Sequence, residues 1–367
     1  MVTAEQARAA LSAVRDAGSG RDLLELDWIQ EPRVQGERVV FRLALPGFAQ
    51  SQRDRIVTES RSALLALDGI TDVQIELAQP SAPPPSGAPI GAAGHGPGGH
   101  GQLPERQPIP GVRRVIAVSS GKGGVGKSTV AVNLACALAR DGLRVGLLDA
   151  DIYGPNAPTM LGVADRTPEV RGDGAAQVLV PLQSCGIAMV SMGLLVAENQ
   201  PVIWRGPMLN GIIRQFLYQV DWGERDVVVV DLPPGTGDAQ LTLAQAVPMA
   251  GVLIVTTPQE VSLADARRGL AMFQQMGITV LGVVENMSTF IPPDAPEKRY
   301  AIFGSGGGAR LAEEGSVPLL AELPLEMPVR EGGDRGLPVV LSAPESATAQ
   351  AFTALARTIA ALTPVPA

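Results

Sequence analysis

Seven runs of apolar residues mark the C-terminal part of the chain, at 113–118, 143–149, 186–192, 226–231, 252–257, 279–284 and 317–323. Their hydrophobicity is continuous, the pattern of strands buried on both faces. Between and after them, the segments 127–141, 206–219, 238–247, 261–276, 306–314 and 345–362 place apolar residues at helical spacing. Such alternation predicts an α/β domain over 113–367, a doubly wound, mostly parallel sheet covered by helices. Residues 1–80 read differently. EQARAALSAVRDA and SQRDRIVTESRSALLALDG carry helical patterns, and ERVVFRLALPG and ITDVQIEL carry strand patterns, which predicts a small α/β domain of mixed topology. Between the two regions, residues 81–112 hold eight Pro and eight Gly, too little apolar surface to fold, and predict a flexible linker.

Composition narrows the function classes. Of 367 residues, 46% are hydrophobic and 18% charged, which excludes wholesale disorder. A net charge of −8 argues against a nucleic acid as the main partner. The least polar stretches, such as 185–197, fall short of the ~18 residues that a spanning helix needs. The N-terminus is charged and helical in pattern, without the apolar core of an export signal, so a cytoplasmic protein with no membrane partner is expected. There are two cysteines, Cys136 and Cys185, and no CxxC or Cys/His spacing of metal-site type, which excludes a disulfide framework. Both histidines, His95 and His100, lie in the linker and read as solvated. The small N-terminal domain has nine Arg against twelve carboxylates and no His or Cys, so docking or regulation is its expected role. Among 29 basic residues only three are lysines, Lys122, Lys127 and Lys298, and two of them share one short loop.

That loop reads Gly121-Lys122-Gly123-Gly124-Val125-Gly126-Lys127-Ser128-Thr129 between a predicted strand and a predicted helix. It fits G-x-x-x-x-G-K-[ST] in the required context. Its glycines let backbone N–H groups converge on phosphate oxygens, and the helix N-terminus adds a favourable dipole. Lys127 is expected on the β- and γ-phosphates of ATP and the Ser128 hydroxyl on Mg²⁺. Lys122 is a second lysine in a place where an ordinary phosphate loop needs none. With it, GKGGVGKST resembles the deviant Walker A sequence of the family of partition ATPases, MinD-type proteins and the nitrogenase iron protein. That resemblance implies that Lys122 reaches across a homodimer to the partner's nucleotide.

Further along, DVVVVDLPPGTGD ends a buried strand with Asp231, the Walker B arrangement in which the carboxylate helps to hold Mg²⁺ through water. Gly235 follows in a Pro/Gly-rich loop suited to sensing a γ-phosphate with its N–H. In LLDADIYGP, Asp149 or Asp151 can orient the attacking water, or cap the turn at 156–160; the family resemblance favours Asp151 for the water. It also implies that Asn286 contacts adenine, and the strand-end loop at Pro324 is a further candidate for stacking on the base.

Residues 151–162, 202–217 and 229–243 resemble the Mrp/ApbC branch, whose members carry and assemble iron–sulfur clusters, and residues 1–80 resemble the PaaD/SufT-like domain often fused to it. The resemblance implies a Mg-dependent, slow ATPase that acts in cluster assembly or transfer to apoproteins, with ATP governing dimer geometry. One departure stands out. Many members carry a CxxC just after the segment that here reads Glu285-Asn286-Met287-Ser288, whereas residues 286–294 contain no cysteine, and none lies near Pro46–Ala49. Soft thiolates are the natural ligands of such clusters. Cys136 reads as a buried small hydrophobe, and Cys185 opens a strand, where a symmetric dimer could pair two copies. No iron–sulfur ligand is therefore evident, and a nucleotide-driven scaffold for assembly factors stands as the alternative. A MinD- or ParA-like positioning ATPase needs a basic amphipathic helix or a basic DNA face, and residues 345–367 hold one Arg and one Glu.

Overall fold

The computed structural model describes residues 2–14, 21–25, 28–44, 50–78, 106–151, 154–172, 177–195 and 206–364. His95, His100, Pro46–Ala49 and linker residues 81–105 lie outside them. The chain divides into two compact units, 1–98 and 99–367.

In the first unit, helix α1 (Ala4–Leu11) starts at a capping box: the Thr3 hydroxyl accepts from the Gln6 N–H and the Gln6 side chain accepts from the Thr3 N–H. Strands β1 (Ile29–Gln35) and β2 (Arg38–Ala44) form an antiparallel pair. Helix α2 (Gln50–Leu65) then crosses over to β3 (Asp72–Ala78), which runs parallel to β2, as a parallel pair requires. Val39, Phe41 and Leu43 alternate inward from β2 and meet Ile56 and Leu64, one helical face of α2. Strand β1 has no counterpart in the sequence reading. Its residues, IQEPRVQ, are mostly polar, and Pro32 removes a ladder donor, which an edge strand with a register shift tolerates.

In the second unit, the packed structure begins earlier than residue 113. Ile109 is buried, the Gln107 N–H donates to the Ala246 carbonyl (2.9 Å), and Tyr218 Oη donates to the Gln107 carbonyl (3.0 Å), so residues 106–112 are anchored to this unit and not part of a free linker. In chain order the elements are β4 (Val115–Ser120), α3 (Lys127–Arg140), β5 (Val145–Asp149), α4 (Ala157–Met160), β6 (Val170–Arg171), β7 (Val178–Leu179), β8 (Leu182–Ser184) and β9 (Ile187–Ser191). There follow α5 (Gly206–Tyr218), β10 (Val227–Asp231), α6 (Asp238–Ala246), β11 (Gly251–Thr256), α7 (Glu260–Gln275) and β12 (Val280–Phe290). The last are α8 (Gly307–Glu314), β13 (Leu319–Leu325), α9 (Met327–Asp334), α10 (Val339–Ser342) and α11 (Ala347–Leu362).

Eight strands form one sheet in the order β13-β12-β11-β4-β10-β5-β9-β8, parallel except for the β8–β9 hairpin. Strands β4, β5, β10 and β11 are buried along their whole length, between one apolar cluster that includes α3 and α11 and another that includes α5, α6 and α7. The register sets Asp231 beside Asp149 and beside Val118, so two carboxylates end neighbouring strands at the carboxyl edge where the loop after β4 begins. In parallel α/β sheets this edge is where ligands bind.

Two boundaries differ from the sequence reading. Strand β12 continues through Asn286 to Phe290, with a register irregularity between those residues and Met287 at φ +56°. Strand β13 runs two residues beyond 323 and contains Pro324, which an edge strand accommodates.

Candidate functional site

The loop between β4 and α3 lines a cavity of about 470 Å³ together with Asp151, Gly154, Asn156, Met160, Pro234 and Met287. Two of its glycines are sterically required. A Cβ at Gly121 would collide with the backbone of Asp265 and Ala266 in α7, and Gly126, the left-handed residue capping α3 (φ +83°), would collide with the Asn286 amide. Asn286 Nδ2 in turn donates to the Val125 carbonyl at 2.9 Å, which ties β12 to the loop. The Val125 side chain belongs to the core, and the residue does not line the cavity. Gly123 and Gly124 are exposed, and Ser128 and Thr129 open α3 at the cavity.

Lys127 is buried and its Nζ donates to Asp231 Oδ1 at 2.6 Å, with Ser128 Oγ at 3.4 Å and Asp151 Oδ2 at 3.6 Å. Asp231 is fully enclosed, and its Oδ2 has no hydrogen-bond partner among the described residues. Burial pushes the Asp231 carboxyl up against the pull of Lys127. Burial, and after it the charge of Asp231, pushes Asp149 up to about 7. Three carboxylates, Asp149, Asp151 and Asp231, thus crowd one buried lysine, and an orphaned carboxylate oxygen is left over. Hard cations take oxygen ligands of this kind, so the residues present fit a divalent magnesium beside a polyphosphate.

The two candidates for orienting water separate cleanly. Asp149 accepts from the Asp151 N–H (3.1 Å), the Ala157 N–H at the start of α4 (3.3 Å) and the Ser191 hydroxyl (3.0 Å). It fastens the ends of β5, β9 and α4 and has no face on the cavity. Asp151 lines the cavity and accepts from the Gly154 N–H at 3.2 Å.

Lys122 lines the cavity too, and its Nζ has no ion-pair partner among the described residues. The Gly235 N–H donates to the Ser120 carbonyl at 2.9 Å, so it is already engaged. Pro324 is not brought to the cavity; it lies within β13, its carbonyl accepting from Thr348 Oγ1 at 2.9 Å. Several contributors escape a motif reading. Met160 and Met287 line the cavity without any chemical signature in the sequence, and buried Gln240 donates to Ser119 Oγ (3.2 Å) and the Pro233 carbonyl, fixing the loop after Asp231.

Both units of the chain resemble known proteins. Residues 111–360 match the family described as the NUBPL iron-transfer P-loop NTPase, and residues 4–77 match the family described as an iron–sulfur cluster assembly protein. The chain is 54% identical over 360 residues to the iron–sulfur cluster carrier protein of Synechocystis, covering 98% of each. It is 46% identical to the Deinococcus radiodurans protein of the same name, covering 96% of this chain and 93% of that one. Among solved structures, a nucleotide-binding protein of Archaeoglobus fulgidus in complex with ADP is 37% identical, with a TM-score of 0.54 over 62% of this chain and 88% of that one.

Proposed function

The chain belongs to the NUBPL-type family of iron-transfer P-loop NTPases, and we propose that it hydrolyses ATP to drive iron–sulfur cluster assembly or transfer to apoproteins. The observation that carries the ATPase part is the buried cluster of Lys127, Asp151 and Asp231 beneath the glycine loop.

In this reading the loop's N–H groups and Lys127 hold the β- and γ-phosphates, and Lys127 exchanges Asp231 for phosphate oxygens. Ser128, with Asp231 through water, would hold Mg²⁺, whose charge offsets that developing on the γ-phosphoryl oxygens. Asp151 accepts a hydrogen bond from the attacking water and aims it in line with the leaving oxygen. The Gly235 N–H leaves the Ser120 carbonyl for the γ-phosphate. Asn286, already at the loop, recognises the base. Lys122 crosses to the nucleotide of a second copy, which makes the ATP-bound state a homodimer. Because the three carboxylates must be matched by metal, turnover requires Mg²⁺, and it is slow. The reading places the protein in the cytoplasm, with cluster-assembly factors or apoproteins as partners. No described helix is long and apolar enough to cross a membrane.

The cargo is the point on which the residues do not fit the usual arrangement. No cysteine lies in 286–294, Cys136 is buried in the core, and Cys185 is half-buried in a turn. That observation favours a second reading, a nucleotide-driven scaffold that brings assembly proteins together without holding a cluster itself. Anaerobic reconstitution with iron and sulfide separates the two. A carrier retains both elements and delivers them to an apoprotein under ATP control. A scaffold retains neither in any nucleotide state, yet captures assembly factors differently with ATP and with ADP. Neither outcome in either assay would end both readings.

A further inference from the structure

Among the described residues, three other than glycine take a left-handed conformation: Cys185 (φ +52°), Ser316 (φ +52°) and Met287 (φ +56°). The first two stand in turns, between β8 and β9 and after α8, where such backbone is ordinary. Met287 stands inside a strand, β12. Left-handed backbone is costly for a residue with a side chain, and it persists only where the surroundings impose it.

Here the surroundings are a bulge. Asn286 pairs with Leu323 and Phe290 with Leu325, so four steps along β12 match two along β13. Asn286 is held at the near end by its bond to the Val125 carbonyl. Phe290 is held at the far end by Tyr300, to whose carbonyl its N–H donates at 2.8 Å and from whose N–H its own carbonyl accepts at 3.0 Å. Bulges gather beside active sites, where the extra residues re-aim a side chain. Met287 lines the phosphate-loop cavity, whereas its neighbours Asn286 and Ser288 are buried and do not. Its methyl end lies against the loop: a Cβ built on Gly126 would stand 3.7 Å from Met287 Cε. Lys122, Lys127, Ser128 and Thr129 offer the same cavity donors and hydroxyls suited to phosphate and metal. A thioether has no proton to give a phosphate, but its polarisable sulfur packs well against an aromatic ring.

We infer that Met287 is a specificity-determining residue, the apolar wall against which the nucleoside of the bound nucleotide packs. The strained bulge is the device that brings this side chain out of a buried strand end and into the cavity. The inference rests on the nucleotide reading of the cavity, and adds to it the residue that tells a nucleoside polyphosphate from a bare polyphosphate.

The test compares ADP with tripolyphosphate, which has phosphates and no nucleoside, on the full chain with Mg²⁺ by calorimetry. Met287→Gly should bind ADP about tenfold more weakly than the wild type, the scale of a lost sulfur–ring contact, and tripolyphosphate within about twofold. Its melting temperature should equal or exceed that of the wild type, because glycine adopts left-handed backbone freely. A residue kept for packing alone would lower stability and affinity together. Met287→Leu, which rebuilds the wall without the sulfur, should recover part of the lost ADP affinity. In the wild type, sulfoxide formation at Met287 under dilute hydrogen peroxide, read by peptide mapping, should be slowed by ADP and not by tripolyphosphate. Unchanged ADP affinity in Met287→Gly, an equal loss of both ligands, a lowered melting temperature, or equal protection of Met287 by both overturns the inference and leaves nucleotide binding standing. A wild type that binds no ADP ends the nucleotide reading, and this inference with it.

Discussion

The two units treat buried polarity in opposite ways. Among the described residues, the first unit buries one polar side chain, Ser60, in an otherwise apolar core. The second buries Lys127, Asp149, Asp151 and Asp231 together at one edge of its sheet. Burying charge costs several kcal/mol per ion unless it is paired, and here it is only partly paired. A cluster so costly to stability is the mark of a place where chemistry is done, and the described residues of the first unit hold no counterpart to it.

The strongest way to break that comparison is Lys127→Ala. It removes the buried cation paired with Asp231, so it should abolish nucleotide binding, weakening ADP at least ~100-fold in calorimetry, as loss of about 3 kcal/mol of charge-assisted contact implies. Retained affinity would show that the lysine is a structural counter-ion. Lys122→Ala should act in a different way. Its ammonium has no ion-pair partner among the described residues, so thermal stability should hold, while hydrolysis falls and the ATP-bound dimer weakens in sedimentation. Unchanged hydrolysis and association together would remove its role across the dimer.

Next is the pH dependence of Asp149. Its folded value, about 7, lies above the ~3.9 of an unfolded aspartate, so its contribution is fully present below about pH 4 and lost as the pH rises through 7. The stability gap between wild type and Asp149→Asn should therefore narrow between pH 5 and pH 8 in denaturant titrations, and a widening gap would contradict the assignment. The smallest effect belongs to the first unit. Ser60 Oγ is buried without a partner among the described residues, so Ser60→Ala should be neutral or stabilise by up to ~1 kcal/mol, measured on the same titrations. Marked destabilisation would mean that the unit holds a polar contact of its own.

What the sequence reveals follows the strength of local signals. The buried strands β4, β5, β10 and β11 are legible because continuous apolar runs leave no other place for them. The phosphate loop is legible because its glycines are dictated by backbone geometry over a few residues. Strand β1 is not, since an edge strand with a proline satisfies its pattern by pairing and not by burial. The division of labour between Asp149 and Asp151 is likewise hidden: they differ only in which partners the fold delivers, Ser191 from β9 and Ala157 from α4. The hairpin β8–β9 is hidden too, because its first strand is three residues long and leaves almost no periodicity. Gly235 is found by its motif, yet its bond to Ser120 appears only once β4 and β10 lie side by side.

The central claim is that this cluster hydrolyses ATP, with Lys127 holding the phosphates and Asp151 directing the water. The most direct measurement follows ATP bound to Asp151→Ala with Mg²⁺ through a single turnover, beside the wild type. The account predicts that the variant binds ATP as the wild type does and keeps it intact, its turnover lowered at least ~100-fold, the scale of a lost general base. Wild-type turnover in Asp151→Ala would contradict it.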